Sequence, residues 1–190
     1  MIALSLPTEP VRERLRRASA SLDLAELTGS PFAMSQALAE VARCHREMQA
    51  TASAEAHFDA AVRWARLCGS NDHLADLLCE LADASVRVSL AQDLRSMLPP
   101  EAGDAGDRPG GGHAARERAR DHAFEVSQLV GRISDPACEA RLLLRVSEVL
   151  ERCGDHADAL QMQRRALDLM GGVAPRDPAV LSGFGRLADG

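Results

Sequence analysis

Leu38–Ala61 reads LAEVARCHREMQATASAEAHFDAA, and Leu143–Ala166 reads LLRVSEVLERCGDHADALQMQRRA. The two stretches carry apolar and small residues at the same steps. Leu38, Val41, Ala42 and His45 in the first answer to Leu143, Val146, Ser147 and Leu150 in the second. Ala54, Phe58 and Ala61 answer in the same way to Ala159, Gln163 and Ala166. Steps of three and four keep each set on one face of a helix. Two helices can press closely only where side chains are small, and bulky residues fill the space around such contacts. Every matched position is 105 residues on (143 − 38 and 166 − 61), so both halves of a helix pair are repeated in register.

A third copy lies between them, interrupted. Leu78, Leu81, Ala82 and Ser85 follow the first set by 40 residues (78 − 38). Their partner helix is then due at Leu94 and Leu98, where Pro99-Pro100 stop any helix. Moving it 25 residues on (119 − 94) puts its contact positions at Ala119, Ala123 and Val126. The step from Val126 to Leu143 is then 17, equal to the step from Ala61 to Leu78. The interruption is Pro99–Gly112 (PPEAGDAGDRPGGG), in which eight of 14 residues are Gly or Pro and none is large and apolar. It reads as an inserted loop. Ser89–Leu98 reads as a continuation of the preceding helix or a separate short turn.

The flanks add helices. Thr8-Glu9-Pro10 offers a cap and a first-turn proline for a helix with Val11, Leu15, Ala18, Leu22 and Ala25 on one face. Gly29-Ser30-Pro31 closes it and opens the next. Asp177-Pro178 can start a short last helix through Leu187. The chain is therefore expected to be one all-α domain over 1–190 with about eight helices. These are a leading helix at 8–28, helix pairs at 32–68, 72–131 (with the loop at 99–112) and 136–171, and a terminal helix at 177–188.

This pattern resembles the tetratricopeptide (TPR) family, over roughly Phe32 to Gly172. It departs from that family at His45, where Tyr is usual, and at Gln163, where Phe is usual. The ~40-residue spacing is similar to that of arrays in bacterial regulators. The resemblance implies a right-handed α-α superhelix of helix hairpins, with the first helix of each pair lining a concave groove. Carried across residue by residue, that face holds Arg43, Arg46 and Glu47, then Asp76, Cys79, Asp83 and Arg87, then Arg141, Leu144, Glu148, Glu151 and Arg152. Arg141 and Arg145 match a basic pair with which some TPR proteins hold a peptide's C-terminal carboxylate. Ala39 and Glu80 stand where the rest of that clamp needs a Lys and an Asn. Within one helix, Arg141, Arg145 and Glu148 can also pair among themselves. A mixed-charge groove for an extended or helical segment fits these residues better than a dedicated clamp.

Composition agrees with a helical chain. Ala and Leu dominate the apolar set, Tyr is absent and only Ile2 and Ile133 represent isoleucine. All 22 basic residues are Arg, the usage expected of a GC-rich bacterial genome. A formal charge of −6 argues against nucleic-acid binding. Met1–Pro7 has neither the basic start nor the apolar length of a signal peptide, and no run approaches a membrane span. Five scattered cysteines (Cys44, Cys68, Cys79, Cys138, Cys153) suit a reducing cytoplasm.

Other chemistry finds little footing. Cys44, His45, His57, Cys68, His73 and Cys79 lack the paired spacing of a zinc site. Cys153-Gly154-Asp155-His156 has an inter-helix turn as its structural explanation, and triads are assembled in space rather than along a run. Gly110-Gly111-Gly112-His113 lacks the Lys-Ser/Thr of a phosphate loop. No enzyme activity, metal or cofactor is expected. The expectation is a cytoplasmic bacterial adaptor or regulatory module that binds a protein or peptide. The alternatives are a chaperone for a secreted protein and a structural self-association module forming homodimers.

Overall fold

The structure, a computed structural model, describes residues 10–98 and 112–173. The expected terminal helix at 177–188, the cap residues Thr8 and Glu9, and the expected loop apart from Gly112 lie outside the described residues.

Among the described residues the chain is all helix, with seven α-helices and one 3-10 turn. The α-helices are α1 (Val11–Thr28), α2 (Pro31–Glu47), α3 (Thr51–Ala65), α4 (Asn71–Met97), α5 (His113–Leu129), α6 (Pro136–Cys153) and α7 (His156–Val173). The 3-10 turn Val130–Arg132 joins α5 to α6. Of the two readings of Ser89–Leu98, continuation is the one found, since α4 runs unbroken to Met97.

Local chemistry sets the helix starts. Ser30, Ser70 and Asp135 cap α2, α4 and α6 by accepting from the backbone N–H of Ala33, His73 and Ala137. Pro31 and Pro136 follow at first-turn positions, where the missing N–H costs nothing. The ends are set by left-handed residues: Gly29, Gly69 and Gly154 have positive φ, and so does Gln49 at φ 60, between α2 and α3.

Neighbouring helices pack in pairs, α2 with α3, α4 with α5 and α6 with α7. α3 also packs on α4, and α4 on α6, while α1 lies on α2. The small residues named above are the contact points. Ala42, Ala61, Ala82, Ala119, Ala159 and Ala166 are wholly buried, with Phe58, Leu78, Leu143 and Leu150 filling the space around them. One continuous core runs from Ala25 to Ala166. α4 and α6 are buried on two faces, so Leu77, Val86, Leu142 and Val149 join it beyond the repeated positions.

Candidate functional site

The inner face of α4 presents Asp76, Glu80, Asp83 and Arg87 at steps of four, three and four. α2 and α6 flank it with guanidinium groups, and the carboxylates of α4 join the two. Arg43 Nε donates to Glu80 Oε1 at 3.2 Å, and Arg46 donates to Glu80 Oε2. From the other side, Arg141 donates to both oxygens of Asp76 at 3.0 and 3.2 Å, and Arg145 donates to Oδ1 at 3.0 Å. Asp83 accepts from Arg87 at 2.8 Å and from Arg152. Arg43 also holds Glu40, and Arg46 lies 5.6 Å from the ring centroid of the buried Phe58.

Environment shifts the charges that matter here. Burial would push the Asp83 carboxyl up, but hydrogen bonds from Arg87 and Arg152 outweigh it and hold its pKa below the usual value. Burial works against Arg43 in the same way, and Glu80 and Glu40 more than offset it. Hydrogen bonding to Asp76 raises the pKa of Arg141. Burial pushes the Cys79 thiol up to about 12 and leaves it unreactive.

Eight of the charged residues expected on this face (Arg43, Arg46, Asp76, Asp83, Arg87, Arg141, Arg145 and Arg152) thus belong to two clusters. Glu47 and Glu148 do not. Glu47 is held by Arg14 of α1 through two bonds of 2.8 Å. Glu148 is exposed and forms no ion pair among the described residues, so the Arg145–Glu148 pairing expected within α6 is not made. Both arginines reach across to α4 instead and share the partly exposed carboxylate of Asp76.

Beside Asp76, with its two arginines, and the Arg43–Glu80 pair opens a cleft of about 710 Å³. Its walls are α1 (Ser21, Leu24, Ala25, Thr28), α2 (Ala33, Gln36, Ala37, Glu40, Arg43), α4 (His73, Asp76, Leu77, Glu80) and α6 (Arg141, Arg145). The α1 wall was not anticipated from sequence, because α1 belongs to none of the repeated pairs. In the sequence Glu80 stands out as a departure from a clamp; the signal for its pairing is its position between Asp76 and Asp83 on one helical stripe.

Ser35, His73 and Asp76 come together at this cleft. Ser35 Oγ lies 2.7 Å from His73 Nε2, and the His73 ring packs on Phe32. Ser35 is 0% exposed and its hydroxyl donates to the Phe32 carbonyl, so it is not placed as a nucleophile. Burial lowers the pKa of His73.

Among the described residues no three His, Cys, Asp or Glu side chains group as a metal would need. The rings of His45 and His57 pack 4.9 Å apart, joining α2 to α3. His122 stands at the position of α5 equivalent to His57, but burial lowers its pKa and it makes no such stack. Cys153, Asp155 and His156 have separate partners. Cys153 is buried, Asp155 accepts from Arg120, and His156 lies 3.1 Å from Glu151. No helix among the described residues is long and apolar enough to cross a membrane.

The fold and cleft define an all-α protein of adjacent helix pairs with a cleft lined in part by charged side chains. No protein-family model matches the chain, and no curated protein matches it in sequence.

Proposed function

We propose that this protein is a TPR-like binding module, with its helix pairs forming a superhelix whose inner face takes a segment of a partner protein. The observation that carries the reading is the cleft. It is open, joins four helices, and combines an apolar wall at Leu24, Ala37 and Leu77 with charged side chains on α2, α4 and α6. A concave surface with convergent polar groups is the ordinary form of a binding site. The 105-residue repeat and the small-residue contacts support the TPR-like class. A cytoplasmic adaptor or regulatory role is the one this class suggests, and the all-Arg composition supports a bacterial source.

Selecting random displayed dodecapeptides on the full chain tests the reading. Peptides should be recovered and should be lost on Gln36→Trp, which fills the cleft from an exposed position. Recovery of none, or equal retention by Gln36→Trp, contradicts it.

Self-association is the second reading, favoured by one observation. Leu24 is 63% and Leu27 85% exposed on α1, the helix at one end of the stack. Light scattering over a hundredfold concentration range should then show a dimer; a strict monomer excludes it.

A further inference from the structure

α1 buries little of itself, since Ala18 and Ala25 are its two buried residues. The opposite face carries Glu13, Arg16, Ala20, Asp23 and Leu27, a single row at steps of three and four. All five are exposed, Leu27 to 85%. Ser21, Leu24 and Thr28, which line the cleft, lie to one side of this row.

Charge along α1 is divided. Its first eight residues hold Arg12, Arg14, Arg16 and Arg17 against Glu13 alone, and its last ten hold Asp23 and Glu26 with no cation. This is the reverse of what the dipole of a single helix favours, which is carboxylates at the start and guanidinium groups at the end. Neither Asp23 nor Glu26 has an ion-pair partner among the described residues. Arg16 pairs with Glu13 at 2.9 Å, and the two side chains are 78% and 55% exposed, so that pair exchanges readily for another. A second α1 laid antiparallel would supply what the first lacks. It brings carboxylates to the basic half and arginines to the acidic half.

We propose that two copies of the chain associate through α1, antiparallel, about a two-fold axis at Ala20. The proposal rests on the self-association reading above and names its surface. Ala20 then meets Ala20 of the second copy, a small contact that lets two helices approach. Arg16 of each copy stands against Asp23 of the other, and Arg12 lies near Glu26, on the same side of the row. Leu27 closes each end over the other copy's first turn. A parallel pair would instead set like charges side by side. Because exposed charges carry much of the contact, the dimer should loosen as salt rises, whereas a purely apolar contact would tighten.

Sedimentation velocity of the full chain over a hundredfold concentration range provides the test. The unaltered chain should form a reversible dimer that weakens with added salt. Ala20→Glu, which opposes two carboxylates on the axis, should weaken it at least about tenfold. Arg16→Glu and Asp23→Arg should each weaken it about tenfold. The double variant Arg16→Glu/Asp23→Arg should recover the dimer with itself and refuse the unaltered chain. All three positions are exposed, and recovery by the double variant shows that the single losses are not misfolding. A dimer indifferent to Ala20→Glu and to both charge changes would overturn the α1 surface and leave self-association standing. A double variant that prefers the unaltered chain to itself would overturn the antiparallel arrangement. A strict monomer would overturn this proposal and the self-association reading together.

Discussion

At the scale of single residues, Gly112 is the most closely enclosed of the described glycines. A Cβ there would meet Ser89 O at 2.3 Å and Ser89 Oγ at 2.4 Å, and the first of these is backbone. Its N–H donates to Asp93 Oδ1 at 2.7 Å, and Asp93 in turn takes Arg116 at 2.6 Å, so the start of α5 is fastened to the side of α4. Gly112→Ala should destabilise by ~1–3 kcal/mol through overpacking, read from thermal or urea unfolding. Gly154→Ala meets nothing within 4 Å and loses only the ease of its left-handed φ of 89°, about 1 kcal/mol. Equal losses would show that α5 does not seat on Ser89 as described. Neither fact was legible beforehand, since Gly112 read simply as the end of a Gly/Pro-rich stretch. By contrast Ala42, Ala61, Phe58 and Leu143 were legible as core, because close helix packing demands small and bulky residues in a fixed order.

At the scale of elements, the repeated spacing placed the helices of each pair, and the caps at Ser30, Ser70 and Asp135 explain where three of them begin. What the spacing missed has a common cause: pairing between helices. Arg141, Arg145 and Glu148 looked like a set within α6, yet both arginines bridge to Asp76 on α4. Glu47 looked like a groove residue, yet it holds α1 through Arg14. Long charged side chains reach several ångströms in any direction, and a one-dimensional pattern does not record which neighbour they meet. α1 was read as a leading helix alone, and its place as a wall of the cleft depends on the angle at which it crosses α2. The contact between α2 and α3 gives the test at this scale. Ala61 is wholly buried there, whereas Ala52 on the same helix is exposed. Ala61→Trp should cost ~1–3 kcal/mol and Ala52→Trp almost nothing. Similar losses at both would mean that the helix faces are assigned wrongly.

At the scale of the whole molecule, arginine–carboxylate pairs link successive helices on both sides of the stack. Arg66 with Glu125 and Arg118 with Glu55 join α5 to the α3 side, as the Asp76, Glu80 and Asp83 clusters do on the inner face. Each partly exposed pair is worth little alone, so stability should depend chiefly on the core. The response to acid follows from the buried groups. Burial lowers the pKa values of His45, His73 and His122, so near and below the ordinary histidine value the unfolded chain binds more protons than the folded one. Stability from these groups is complete above a pH of about 6.5 and is lost as the pH falls below it. Asp83, held below its ordinary value, adds a second loss on falling from about pH 4 through its folded pKa. Melting temperature should therefore fall from pH 7.5 to 5.5 and again below 4. A flat profile between 7.5 and 5.5 would contradict the histidine burial, and His122→Gln should reduce that first slope.

The cleft as the binding surface is the central claim, and amide chemical shifts of the isotope-labelled full chain during titration with a recovered peptide test it most directly. The shifts should concentrate at Leu24, Gln36, His73, Asp76, Leu77 and Arg145, which face one another from four helices. Shifts confined to the outer face of α7, where Leu160, Leu167 and Met170 are exposed, would contradict it.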